Sequence, residues 1–307
     1  MSAEDFKAIG VPFSNSSFRA GTFAAKLARV AVWTESRSVA GHQEYFGSAE
    51  QIELAKRGNQ LWMLLCDDPK YSFYGRMVSL CSPAEDAAAR CAALAKLQGA
   101  MSCQYYPADH ADAFCAELEA ANLKSSRYEQ CRGELGAIEI SRQIVSDAVL
   151  PDGLTLVEIN ADTPPDQVKK VAELSLSCGV MPVPGAAMRG LSRDGVCLAL
   201  VDDGGDAVAT ASSYMCNHPD SARAKDAFWG MLATRDDWRG RKLAHILGAE
   251  AIVRMADRYG AQSFNTGVTA DNAASLALCA KLGVTPSSWT FIGCIDPSTF
   301  GTGHITR

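Results

Sequence analysis

Residues 227–284 restrict the fold more than any other part of this chain. An apolar strand (227–234) runs into a charged turn bearing Gly240, and that turn opens a long amphipathic helix (239–259). A second strand (263–268) and a second helix (271–282) follow. Strands and helices alternating in this way predict an α/β fold, here with an α+β mixed sheet. The long helix repeats Leu243, Leu247, Ala251 and Met255 at four-residue spacing, with Ile246 beside them and Glu250 at the stripe's edge. Its opening, Arg239-Gly240-Arg241-Lys242-Leu243-Ala244, is suited to an anion. Backbone N–H groups at a helix start lack internal partners. The helix dipole adds partial positive charge there, and Gly240 permits close approach of backbone to a ligand. With the cations Arg239, Arg241 and Lys242, the turn can cradle a pyrophosphate. Bases in a first turn oppose the dipole, which sets this cluster apart from an ordinary surface helix start.

The stretch 232–244 resembles the acyl-CoA-binding signature of the GNAT superfamily of N-acetyltransferases, Arg/Gln-x-x-Gly-x-Gly/Ala. Arg239 fills the first position, Ala244 the last and Trp238 the preceding aromatic one, while Lys242 replaces the middle glycine. A second stretch, 272–284, is similar to the family's Asn-x-x-Ala-x-x-Leu-Tyr-x-Lys-Leu-Gly-Phe. Asn272, Leu278, Lys281, Leu282 and Gly283 stand in place, with Cys279 at the tyrosine position and Val284 at the phenylalanine position. The resemblance covers 154–295 in element order and is sharpest over 231–284.

The resemblance implies acetyl-CoA as acyl donor, no metal, and an acyltransferase that moves groups other than amino-acyl groups. Leu232, Ala233 and Thr234 would pair with the pantetheine arm, and a backbone N–H on that strand would support the oxyanion. Arg239, Gly240, Arg241, Lys242, Leu243 and Ala244 would hold the pyrophosphate, and Asn272 would contact the cofactor near the second helix. The acceptor would be the amine of a small molecule or amino acid, attacking directly in a ternary complex. Cys279 stands where the family often keeps its acid. A thiol of ordinary pKa, about 8.5, can donate a proton; an inert packed thiol is the alternative. For the base, the 216–225 loop offers His218, whose ordinary pKa suits the role, with Tyr214 and Glu173 behind it. The connection 178–184 would line a partly apolar acceptor pocket.

The rest of the chain is organised around this part. Residues 1–22 read as an irregular lead-in, and 24–33 fit a strand or a helix equally. A helix over 48–56 capped by Ser48 and a strand over 61–66 follow. Then come a strand (76–81), a helix (84–97) with Ser82 at its cap and Pro83 after it, a strand (101–106), a helix (108–121) and a strand (125–132). A linker at 146–153 leads to a strand (154–159), helices (164–177 and 184–191), a hairpin (196–201 with 207–215) and a final strand (289–294). Residues 75–80 align with 229–234, and each is followed by a helix, a strand, a shorter helix and a strand. That is a weak repeat at domain length, resting on element order rather than identity, with two unrelated α/β segments as the alternative. It predicts two GNAT-like acyl-CoA N-acyltransferase domains, 1–148 and 149–307. In the first, Ser82-Pro83-Ala84-Glu85-Asp86 replaces the basic turn. Two carboxylates there repel a pyrophosphate, so the N-terminal copy is expected to be degenerate and non-catalytic.

The length of 307 residues suits two domains of about 150 residues. The net charge of −6 argues against a nucleic-acid partner. No apolar run approaches the ~20 residues of a spanning helix, and the N-terminus lacks a signal-peptide pattern. No membrane association and a cytoplasmic location are therefore expected; a homodimer stays possible. Eleven cysteines without a CxxC pair read as reduced, packed side chains. A second function fits the two departures, Lys242 and Cys279: a catalytically inactive acyl-CoA-binding regulatory or scaffold protein.

Overall fold

A computed structural model describes residues 42–300 and residue 305. The segments 1–22 and 24–33 lie outside the described residues. Helix α1 (Ala49–Leu65) is started by a capping box in which Ser48 and Gln51 satisfy each other's backbone N–H groups. It buries Leu54, Ala55, Gly58 and Trp62 at helical spacing. The expected strand at 61–66 is instead the end of this helix. Five apolar residues in a row conceal the period, because Met63 and Leu64 point to solvent while Trp62 packs inward.

Strands β1 (Tyr71–Phe73) and β2 (Val78–Leu80) precede helix α2 (Ala87–Gln98). The helix starts at Ala87 rather than near 84, and neither Ser82 nor the observed cap residue Asp86 makes a side-chain cap bond. Strand β3 (Ala100–Pro107), helix α3 (Ala111–Ala120) and strand β4 (Lys124–Gly133) come next. Helix α4 (Leu135–Asp147) was not anticipated; it packs Ile138, Ile144 and Val145 against the main core and pairs Arg142 with Asp257.

The remaining elements follow the expected order. They are β5 (Leu154–Glu158), α5 (Pro165–Ser177), α6 (Gly185–Met188), β6 (Gly195–Asp202), β7 (Ala207–Met215) and β8 (Asp226–Thr234). After them come α7 (Leu243–Tyr259), β9 (Ser263–Val268), α8 (Ala273–Lys281) and β10 (Thr285–Ile295). Helix α7 begins at Leu243, where the apolar stripe begins, four residues later than the charged turn suggested, so residues 239–242 form the approach to it.

All ten strands form one mixed sheet in the order β1-β2-β3-β10-β4-β9-β8-β7-β6-β5. Only β2 with β3 and β8 with β9 pair in parallel. Each parallel pair is joined through a helix, α2 or α7, as a parallel connection requires. The repeat is visible in this order: β2, α2, β3, α3, β4 run as β8, α7, β9, α8, β10. The closing strands are exchanged. Strand β4 pairs with β9 and β10 with β3, and the two exchanged strands pair with each other at the centre.

One buried carboxylate ties this centre together. Asp226, at the start of β8, is 6% exposed. Its oxygens accept from the Tyr105 hydroxyl at 2.7 Å, from Arg132 at 3.3 Å and from the Ser263 hydroxyl. Arg223 lies 3.6 Å away, with its guanidinium 3.9 Å from the Tyr105 ring centroid. These partners come from β3, β4, β9 and the β7–β8 loop.

Candidate functional site

The site is built on a defect in β8. On β7, Thr210 faces Ala233 and Ser212 faces Gly230, so Met231 and Leu232 together oppose Ala211. Met231 takes φ +52° and Gly230 φ +150° to accommodate this bulge. Met231 thereby packs with Phe228 and Ala233 on the face covered by α5 and α6, while Trp229 and Leu232 pack under α7. On its other side β8 pairs with β9 only from Asp226 to Phe228, against Ser263 to Asn265. Beyond Phe228 the two strands carry on without a registered pair, β8 to Thr234 and β9 to Val268. A bulge re-aims the backbone and ends pairing, leaving main-chain groups of 231–234 available in a wedge between the strands. At the end of that wedge the Thr234 hydroxyl is buried without a hydrogen-bond partner.

Helix α7 starts at the same end of the sheet. Its position is set by Trp229, whose indole N–H donates to Gly248 O at 3.0 Å. A Cβ on Gly248 would come within 2.9 Å of that indole, so the close approach needs glycine. The N–H groups of His245 and Ile246 bond to Lys242 O; those of Leu243 and Ala244 precede any helical acceptor. No acidic residue lies in the first turn and no side chain caps it. Gly240 has φ +79°, and a Cβ there would meet open space within 4 Å. Arg239 pairs with Asp236 at 2.7 Å and donates to Thr234 O at 3.3 Å. Arg235 is paired with Asp237 and Asp202, while Arg241 lies over the Trp238 ring at 4.4 Å.

Lys242 occupies the left-handed region at φ +60° with its side chain exposed. A Cβ in this conformation costs about 1 kcal/mol relative to glycine. Lys242→Gly should therefore raise the unfolding free energy by about 1 kcal/mol, read from urea denaturation. A loss of stability would mean that the lysine side chain holds the turn.

The residues considered for proton transfer lie apart from one another. Cys279, on α8, is 3% exposed and sits against the Cys131 thiol of β4 in the main core. That contact and burial push the Cys279 thiol up. Tyr214 is fully buried on β7, its hydroxyl without a partner, and burial pushes its phenol up. His218 Nδ1 accepts from Asp220 N–H at 3.0 Å, which leaves its proton on Nε2. It follows the Met215–Ala227 pair, so four residues of β8, about 13 Å, separate that end from the bulge. Glu173 is an exposed partner of Lys169. Asn272 caps α8, its Oδ1 accepting from Ser275 N–H at 3.1 Å. In the 178–184 connection, Cys178 Sγ contacts Thr234 O at 3.5 Å, Val183 packs on the α5–α6 face, and Met181 packs with Leu54 and Met77.

Two groups near the wedge escaped the sequence reading. His245, in the first turn of α7, has a buried Nε2 without a partner; burial, with Lys281 and Lys242 nearby, pushes its pKa down. Arg76 approaches from the β1–β2 connection. No periodicity or motif marks either residue. Among the described residues no cluster of His, Cys, Asp and Glu could hold a metal, all eleven cysteines are free, and no helix is long and apolar enough to cross a membrane.

The site is therefore a bulged strand splayed from its parallel neighbour, beside an uncapped helix start in a mixed α/β sheet. Residues 173–284 match the model of the acetyltransferase (GNAT) family, and the chain carries a domain of that family. No curated protein matches it. Solved structures of similar shape include a tandem GNAT protein from the clavulanic acid biosynthesis pathway, with 17% identity over 68% of each chain and a TM-score of 0.44. Another is a GCN5-related N-acetyltransferase from Kribbella flavida, with 14% identity over 80% of this chain and 95% of that one, TM-score 0.49. A GCN5-related N-acetyltransferase-like protein from Streptococcus suis has 17% identity over 79% and 99%, TM-score 0.46.

Proposed function

We propose that the chain is an N-acetyltransferase that moves an acetyl group from acetyl-CoA to the amine of a small molecule or amino acid, by direct attack in a ternary complex. The observation that carries this reading is the wedge between β8 and β9 opening beside the uncapped start of α7. The orphaned Thr234 hydroxyl and the open space over Gly240 fit a ligand lying along β8 and turning onto the helix. Acetyl-CoA supplies an activated acetyl thioester. The main chain of 232–234 would hold its extended arm in place of a neighbouring strand, and the N–H groups of 240–244 with Arg239, Arg241 and Lys242 would hold the pyrophosphate. A bulge N–H would support negative charge on the carbonyl oxygen as the amine nitrogen bonds to the acyl carbon. The C–S bond then breaks, the sulfur takes up a proton, and the amine loses one.

In this reading the first half supplies architecture, and its helix start at Glu85-Asp86 holds no acyl donor. Cys279 is a packing residue: a core thiol pushed up by its surroundings is a poor acid. Cys279→Ala should keep the rate within about threefold, since an effect below 1 kcal/mol is all that altered packing would impose. A loss beyond a hundredfold with the fold intact would make Cys279 the acid. The proposal itself is tested by thiol release from acetyl-CoA across a broad amine panel. Binding of acetyl-CoA without thiol release from any amine would favour the regulatory alternative.

A further inference from the structure

Among the described residues, a buried arginine on the α5–α6 face of the sheet has no acidic side chain paired with it. Arg76, in the connection between β1 and β2, is 7% exposed, and its Nε and Nη2 have neither solvent nor a hydrogen-bond partner. Breaking a buried ion pair so as to leave one charge uncompensated costs several kcal/mol. Yet the backbone around Arg76 is tightly fixed. A Cβ at Gly58 of α1 would lie 2.7 Å from Arg76 O, and Gly75, at φ +114°, backs onto Val183 and Ala187. The main chain at this position is thus closely packed at Gly58 and Gly75.

Its surroundings are rich in donors. The guanidinium carbon lies 5.6 Å from the centroid of the Tyr74 ring, and that ring stacks on Phe228 of β8 at 4.3 Å. Arg76 and Tyr74 are thus neighbours, and Tyr214 belongs to the same packed cluster as Tyr74. The Tyr214 hydroxyl has no partner. Burial pushes both phenols up, so each keeps its proton. An arginine offers five donors and no acceptor, and a neutral phenol adds one donor. What is missing is a group that only accepts and carries a single negative charge, which describes a carboxylate. Phe228 precedes Met231 of the bulge by three residues, about 10 Å along the strand. Tyr74, Tyr214, Phe228 and Met231 belong to one packed cluster, which links the surroundings of Arg76 to the bulge.

We propose that Arg76, with the hydroxyls of Tyr74 and Tyr214, binds the carboxylate of the acceptor, making the acceptor an amino-carboxylic acid. The inference rests on the acyl-transfer reading for the role of that acid. The binding site itself can be tested separately.

The experiment uses the full chain with saturating acetyl-CoA and matched probes: α-amino acids and ω-amino acids of increasing length, their amides, the corresponding amines without the acid group, and aminoalkyl phosphates. Thermal shift and thiol release are both recorded. The acids should raise the melting temperature and release thiol, and their amides should not. Arg76→Gln should raise the KM for the acid at least tenfold while the acetyl-CoA-induced shift stays as in the parent. Arg76→Met, measured without ligand, should melt at or above the parent, because it removes an uncompensated charge. The proposal is overturned if no acid binds better than its amide, if Arg76→Gln keeps the acid preference, or if the aminoalkyl phosphates replace the carboxylates. A lowered melting temperature for Arg76→Met would overturn it too, marking the arginine as structural. Acid-specific stabilisation without thiol release keeps this site and defeats the transferase reading. Thiol release with amines that lack the acid keeps the transferase and defeats the site.

Discussion

Arg239→Glu abolishes the thermal stabilisation that acetyl-CoA confers; this is the largest binding effect expected. The parent guanidinium stands at the mouth of the turn, 2.7 Å from Asp236 and 3.3 Å from Thr234 O. The reversal removes one positive charge, adds one negative charge and leaves Asp236 beside it. An incoming pyrophosphate would then meet two carboxylates where it now meets a charge-assisted donor. The penalty is about 3 kcal/mol, or at least a hundredfold in Kd. The fold should be intact, since the side chain is mostly exposed and its ion pair contributes little. Scanning fluorimetry with and without acetyl-CoA decides the matter: a shift equal to that of the parent would remove this turn from the donor site.

Asp226→Ala should give the largest change in stability, a loss of about 3–5 kcal/mol in urea denaturation. The substitution leaves Arg132 and Arg223 without their buried counter-charge and the Tyr105 hydroxyl without its acceptor. Asp226→Asn should recover part of this loss, because its one amide oxygen can still accept from either Tyr105 or Ser263, which bond to different oxygens of the carboxylate. A loss under 1 kcal/mol for the alanine variant would mean that the contacts around this carboxylate are made good by water and contribute little to the cohesion of the sheet.

Much of the second half was legible because its periods are clean. The strand at 263–268 was read with its observed ends, and the hairpin of β6 and β7 announced itself by the turn residues at 202–206. Glycine and charge at 239–242 marked the approach to the helix but drew its boundary four residues early, whereas the apolar stripe begins at the observed start, Leu243. The first half was less readable for a physical reason: Leu61–Leu65 is apolar on every side, so its helical period is hidden. The bulge at Met231 could not be read, since it depends on how β8 meets β7. Asp226 and Arg76 were illegible as a hub and an orphan because their burial and surroundings come from distant parts of the chain. A charged residue in sequence carries no mark of being buried.

The crossing of β4 and β10 also bears on how this chain comes off the ribosome. Strand β3 is complete by residue 107, yet the neighbour that closes its open side, β10, spans Thr285–Ile295. Synthesis must run on through β10 before that edge is covered. Until then the first half presents unpaired main-chain groups, the kind of surface that invites pairing with another nascent copy. Contacts of such sequence separation also slow folding. A chain built in this way stakes its assembly on its last strand: a truncation before residue 285 would strip the sheet at its middle, with β3 and β4 both losing a partner.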